Sequence, residues 1–262
     1  MMPPLFTVLR HGQSEGNIME NCPEAAAKLA DVPNNELRLT REGVQQAIYA
    51  GACLKEVFSS DGICRDKWPK VGFVSTFVRA KETAGYLRLG IDWRTSPFLV
   101  ERDWGHFERL SQEEQIRYKA GKKRSPLYST MPNGQSLAGL LTQNYLFFSM
   151  LHREHSEHSV IATCHGERIL TIRYMLERMD DKKFGEIVRS KAKSDKVRNC
   201  QILQYSRINP EDEDDVRQSY FWMRSFCPYD SRAKDLVWKP IIRKKFSDED
   251  LIYFAESFPR YL

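Results

Sequence analysis

An α/β fold, a three-layer α/β/α sandwich around a mostly parallel central sheet, is the class this sequence predicts. Short apolar runs flanked by turn residues, "LFTVL", "VGFVS", "SVIATC" and "CQILQYS", have the length and composition of buried strands. Longer segments with helical spacing separate them. Strand and helix alternate along most of the chain, which leaves helical crossovers between parallel strands as the simplest topology.

"LFTVL" is the first strand, and its apolar character stops abruptly at Arg10, His11 and Gly12. A helix is expected from Thr40 to Phe58: Thr40 is an N-cap residue, Glu42 follows two positions on, and Val44, Ala47, Ile48 and Leu54 supply an apolar face. "VGFVS" is the second strand; Thr76 follows it, and a helix runs from Val78 to Leu89. Gly105 to Asn133, rich in charge and containing "KAGKKRSP", breaks the alternation and reads as an insertion over the sheet. A helix from Gly134 to Leu151 leads into "SVIATC", then His165 and Gly166, then a helix from Glu167 to Glu186. Beyond "CQILQYS", the region from about Asn209 carries "EDEDD", "SYFWMRSFCPYD" and "WKPIIRKKFSDEDLIYF", expected to form an extra strand, a loop and a terminal tail or helix. Neither irregular stretch reads as an independent unit, so residues 1–262 are expected to form one domain with an insertion at about 105–133 and an embellished C-terminal region from about 209.

Forty Lys and Arg against thirty-five Asp and Glu leave a net charge of +5, which suits small anionic molecules without calling for nucleic acid. The six cysteines (Cys22, Cys53, Cys64, Cys164, Cys200, Cys227) form no CxxC pair, so reduced thiols are expected rather than a zinc ribbon. No secretory leader is legible, and no apolar run approaches the ~20 residues of a membrane span, so a cytoplasmic protein without membrane association is expected. His152, His155 and His158 lack the accompanying ligands of a metal site and read as a solvated helix end.

In an open α/β sheet, the loops after the carboxyl ends of strands line the ligand crevice. Three strand ends here carry similar polar groups: Arg10, His11 and Gly12; Thr76 and Arg79; His165 and Gly166. Two histidines and two arginines meeting at one sheet edge suit phosphoryl transfer to an imidazole. A neutral histidine nitrogen is a competent nucleophile near pH 7, and guanidinium groups bind phosphate oxygens in bidentate fashion. Glycine beside each histidine permits close backbone approach, and a helix starting there points free N–H groups at an anion. No metal or other cofactor is required by such a set.

"LRHGQSEGN" resembles the signature of the histidine phosphatase superfamily, the phosphoglycerate mutase-like fold. "STFVRAKETA" resembles its second motif, "LVERDWGHFE" its acid motif, "PNGQS" its P-x-G-E-S helix start and "IATCHGERI" its second histidine motif, all in the family's order. The resemblance implies that His11 forms a phosphohistidine and that Arg10, Arg79 and His165 hold the phosphoryl group, with Gly166 beside it. It further implies that Asn17 adds a side-chain donor and that Glu101 is the general acid and then the base. Gln135 stands where many members have glutamate and receives no catalytic role. Asp103 is the nearest competitor to Glu101; His106 lies just beyond the acid motif, and Lys119, Lys122, Lys123 and Arg124 are within reach of a second anionic group if the insertion covers the site. Trp93, Trp104 and Phe107 read as packing.

The expected activity is metal-independent hydrolysis of a small phosphomonoester. The wording "ERDWGHF" is closer to phosphatase-like members than to the "E-R-x-Y-G" of mutases, which keeps a phosphomutase as the alternative and a non-catalytic phospho-ligand-binding protein as a third. The substrate's identity and the oligomeric state are left open by the sequence, a homodimer being among the options.

Overall fold

The computed structural model describes residues 1–60, 68–105, 110–190, 192, 195–230 and 236–261; Cys64, His106 and Phe107 lie outside them. Seven strands form one sheet in the order β3 (Asp92–Ser96), β2 (Val71–Ser75), β4 (Val160–Cys164), β1 (Leu5–Arg10), β5 (Ile202–Ser206), β8 (Trp222–Phe226) and β9 (Lys239–Pro240). β3, β2, β4 and β1 are parallel, whereas β5, β8 and β9 join by antiparallel pairing. A separate hairpin pairs β6 (Ile208–Asn209) with β7 (Asp212–Val216), so the acidic run forms a strand outside the main sheet.

Alternation along β1 divides the core between two helical layers. Phe6 and Val8 pack with Phe147, Phe148 and Leu151 of α6 (Leu137–Glu154) and Ile169 and Ile172 of α7 (Gly166–Glu177). Leu5 and Leu9 pack on the opposite face with Ala47, Ala50 and Leu54 of α3 (Arg41–Ser60) and Leu87 of α4 (Val78–Leu87). Each large apolar side chain so buried contributes about 1.5–3 kcal/mol. Both faces of β1 are therefore dry, as its continuous apolar run requires.

Several sequence expectations need correction. The helix expected from Glu167 to Glu186 is two: α7 ends where Arg178 takes a left-handed conformation (φ 48°), and α8 (Asp181–Arg189) begins with the Asp180 carboxylate accepting from Lys183 N at 2.7 Å. α4 ends at Leu87, with Arg88 also left-handed. α6 begins three residues after Gly134, where Ser136 Oγ accepts from Gly139 N. Ile48 does not join the apolar face of α3; it is 42% exposed. Thr40 does cap α3, accepting from Gly43 N at 3.0 Å.

Two short helices, α1 (Glu15–Met19) and α2 (Pro23–Lys28), lie between β1 and α3, and α5 (Gln112–Arg124) lies within the insertion, opened by a Ser111–Glu114 capping box. Gly105 (φ 62°) closes the base of the insertion, where a Cβ would lie 2.4 Å from the Pro132 carbonyl oxygen. The C-terminal region ends in α9 (Asp248–Glu256), whose side chains are exposed. Among the described residues no helix is long and apolar enough to cross a membrane.

Candidate active site

Strand register brings the polar strand ends together. Arg10 pairs with Cys164 across β1 and β4, so His11 and His165 leave the sheet side by side, their ring centroids 5.1 Å apart. Val74 pairs with Thr163, which sets Ser75 beside the same edge, and Ser75 Oγ lies 2.8 Å from His165 Nε2. The first turn of α4 then carries Arg79 over His11.

His11 is buried, and its Nδ1 lies 2.7 Å from the Gly12 carbonyl. A carbonyl only accepts, so Nδ1 carries the proton and Nε2 keeps its lone pair. Arg79 Nε donates toward that lone pair at 3.3 Å, while Arg79 Nη1 donates to Asn34 O at 2.5 Å. Burial, reinforced by Arg10 and Arg79, holds the His11 imidazole well below its usual pKa, against the opposing pull of the Gly12 carbonyl. It is neutral at pH 7. Arg79, pushed down to about 10 by its own burial, remains a cation there.

Gly12 lets this turn seat against α3: a Cβ would lie 2.4 Å from the Gly43 carbonyl oxygen. Its N–H donates to Thr83 Oγ1 at 3.0 Å, and Thr83 in turn donates to Arg79 O, linking the histidine loop to the arginine helix.

Arg10 donates through Nη1 to Val197 O at 2.7 Å, and its Nε is buried with no hydrogen-bond partner among the described residues. The guanidinium lies close over Gly166, where a Cβ would be 3.4 Å from Nε. His165 is the N-cap residue of α7, fully buried, and its Nδ1 likewise lacks a hydrogen-bond partner. Burial first, then His11 and the surrounding arginines, keep His165 neutral.

Glu101 Oε2 is 4.0 Å from His165 Nδ1, and Oε1 accepts from Arg102 N at 2.9 Å. Burial raises its pKa, partly offset by the Arg102 N–H and by Arg10, Arg79 and Arg168. Asp103, its competitor, is exposed and accepts from Gly105 N in a turn. Fully buried Arg168 braces the segment before Glu101 with two hydrogen bonds to Val100 O, and ties it to α6 through Leu140 O, Gln143 and Asn144. Glu167, next after Gly166, is pushed up to about 7 chiefly by burial and pairs with Arg102 Nη1 at 3.4 Å.

A family model described as histidine phosphatase superfamily (branch 1) matches residues 6–198, the stretch that supplies every strand end described above. The chain belongs to the histidine phosphatase superfamily. Two phosphoglycerate mutase-like proteins of Arabidopsis thaliana are 28% and 27% identical to it over 165 and 163 residues, each match covering 59% of this chain. The matches cover 55% and 48% of those proteins, so the chain spans about half the length of the curated relatives it matches. A mycobacterial glucosyl-3-phosphoglycerate phosphatase shares its fold with a TM-score of 0.55 at 17% identity, over 85% of this chain and 96% of that one. The Entamoeba histolytica phosphoserine phosphatase bound to 3-phosphoglyceric acid superposes with a TM-score of 0.54 at 17% identity, over 78% and 90% of the two chains.

Within this superfamily fold His11, Arg10, Arg79, His165, Gly166 and Glu101 lie close together. Asn17 Oδ1 accepts from Ser14 N at 3.2 Å and Asn199 Nδ2 at 3.0 Å, which leaves its amide NH2 as a donor. Asn199, which the motifs did not single out, also donates to His11 O at 3.1 Å. Gln135 holds Arg102 Nε through its carbonyl. His155, expected in a solvated helix end, is instead buried edge-on against Phe73 at 5.4 Å, while His152 and His158 are exposed. Trp93 packs across Gly72, and Lys119 and Arg124 are exposed on α5.

Proposed function

We propose that this chain hydrolyses small phosphomonoesters, independently of metal, through a phosphohistidine on His11. The observation that carries the reading is a neutral histidine whose Nε2 lone pair is buried beside Arg79, with Arg10 Nε and His165 Nδ1 buried nearby and without a hydrogen-bond partner among the described residues. Buried polar atoms without partners are costly, and phosphoryl oxygens would satisfy both.

In the first step His11 Nε2 attacks phosphorus as the ester P–O bond breaks, and the carboxylic acid of Glu101 passes its proton to the departing alcohol oxygen. In the second, the Glu101 carboxylate takes a proton from water as the water oxygen attacks phosphorus; the P–N bond breaks and its electron pair returns to His11. Arg10 and Arg79 offset charge on the transferring group in both steps, the kind of electrostatic contribution that dominates phosphoryl transfer. Arg79 must move its Nε from the His11 lone pair to a phosphoryl oxygen when substrate enters. The raised pKa of Glu101 supports its role as the acid. The small phosphorylated molecules after which the fold neighbours are named, phosphoserine and a glucosylated phosphoglycerate, support the substrate class.

Phosphate release from a panel of phosphomonoesters in EDTA, compared between wild type and His11→Ala, tests the reading. Release that persists in EDTA and vanishes in the variant is expected, with an acid-labile phosphoryl adduct trapped on wild type alone. Equal release from His11→Ala would overturn it. Phosphoryl return to a second alcohol in place of phosphate release would establish the mutase alternative.

A further inference from the structure

Among the described residues, two apolar helix faces are left uncovered. α9 and the residues after it are exposed from Asp248 to Tyr261. Leu251, Phe254, Ala255 and Phe258 recur there at helical spacing, with the Phe254 and Phe258 rings 5.3 Å apart, and Ile252 and Tyr253 widen the stripe. The second face belongs to α6. No charged residue occurs from Leu137 to Leu151, yet Tyr145 is 67% exposed and Leu146 stands beside it in the open. Leu141, Thr142 and Tyr145 of α6 line a groove of about 340 Å³ with Tyr174 and Met175 of α7. Uncharged surface bearing exposed aromatic rings has the composition of an interface core.

Three observations favour a second copy of this chain as the cover. The first is charge: Asp248, Glu249, Asp250 and Glu256 against Arg260 give residues 247–261 a side-chain net charge of −3, so the rest of the chain carries +8. Exposed Arg178, Lys182 and Lys183 flank Asp181, which accepts from the Tyr174 hydroxyl at 2.7 Å on the groove's rim. The two acids there are engaged, Asp181 by Tyr174 and Asp180 by Lys183 N and Lys244. The second is tethering. Ile241 N donates to Phe221 O, Arg243 to Tyr220 O and Lys244 to Asp180, so only Lys245, Phe246 and Ser247 remain as a hinge before α9. A short hinge favours exchange of the helix between copies over folding back. The third is area. Tyr253, Phe254, Phe258 and Tyr261 are each more than half exposed, roughly 100–150 Å² apiece, so two tails would hide about 1,000 Å². The surface they cover brings the total into the range of about 1,200–2,000 Å² that a specific interface needs.

We infer that this protein forms a two-fold dimer in which α9 of each copy lies in the groove between α6 and α7 of the other. A two-fold operator makes the exchange reciprocal, so one arrangement covers both faces of both chains. Phe254 is the central anchor of an amphipathic helix laid in an apolar groove. The inference stands apart from the phosphatase reading, since neither face includes a group of the candidate active site.

Sedimentation velocity of the full chain from about 0.1 to 100 μM tests it, alongside Phe254→Asp and Tyr145→Asp. Wild type is expected to dimerise with a micromolar constant, and each variant to weaken dimerisation by about tenfold or more. Mixing the two variants separates this arrangement from any other dimer. The Phe254→Asp copy keeps its groove and the Tyr145→Asp copy keeps its helix, so the mixture is expected to form heterodimers at concentrations where neither variant pairs with itself. Urea unfolding checks that each variant is folded; should Tyr145→Asp not be, Thr142→Glu on the exposed side of the same groove takes its place. A wild type that is monomeric throughout, a dimer that survives Phe254→Asp, or a mixture without heterodimers overturns the inference.

Discussion

Ser75 offers the sharpest test of how the site is held. Its hydroxyl accepts from Phe77 N at 3.3 Å and lies 2.8 Å from His165 Nε2, and both Ser75 and His165 are fully buried. With its O–H donated to Nε2, the hydroxyl fixes the tautomer in which His165 Nδ1 carries the proton and points it toward the phosphoryl position. Ser75→Ala removes this partner while changing almost no volume. His165 Nδ1 already lacks a hydrogen-bond partner, so the variant would bury an imidazole with neither ring nitrogen satisfied. The stability cost should be that of one buried unsatisfied group, about 1–3 kcal/mol. Urea unfolding measures it, and a protein of this size should lose about 2–4 °C in Tm per kcal/mol. In turnover, loss of tautomer control should lower kcat about tenfold or more with little change in KM. If Ser75→Ala leaves both the unfolding midpoint and kcat at wild-type values, Ser75 does not orient His165 and the argument from that hydrogen bond fails.

Arg79→Lys keeps the charge but cannot serve both Asn34 O and the histidine side with a fixed fork; kcat/KM in the phosphate-release assay should fall roughly a hundredfold, and a change of under threefold would contradict the bidentate role. Asn199→Ala breaks the bridge from His11 O to Asn17 and should lower stability by about 1–2 kcal/mol in urea unfolding, with a weaker substrate KM; wild-type values in both would show the bridge to be idle. Because His11 and His165 have depressed pKa values in the folded protein, they resist protonation that the unfolded chain accepts. Stability from this source is fully present above about pH 6.5 and declines as pH falls below it, by up to about 1.4 kcal/mol per pH unit for each histidine. A His11→Asn variant that retained the full wild-type slope of Tm between pH 6.5 and 5 would count against burial of a neutral imidazole at that position.

The strands and the first-rank site residues were legible because both signals are local. "LFTVL" and "SVIATC" are predominantly apolar since both faces of β1 and β4 are covered; Arg10 closes β1, and His11 and His165 follow strand ends directly. β3 was not legible: "DWRTS" is an edge strand with mostly exposed side chains, so it carries no apolar run. The break between α7 and α8 rests on the left-handed Arg178 and the Asp180 cap, which interrupt an otherwise continuous helical pattern. Ile48, apolar and yet exposed, shows that periodicity indicates a face without saying how far the neighbouring layer extends.

The sequence by itself determined which chemical groups this protein has to work with: two histidines and two arginines placed at a strand end or in the first turn of a helix, and a glutamate in the irregular segment after β3. Tertiary structure decided how they are tuned. Ser75 reaches His165 through the register of β2 against β4, and Arg168 braces Val100 across two elements. Asn199 is the clearest case. In a purely parallel sheet the start of a strand lies at the edge opposite the site, but β5 runs antiparallel to β1 and so begins where β1 ends, delivering Asn199 to His11. Strand direction and register are set by long-range pairing between segments far apart in the chain, and no short motif encodes them.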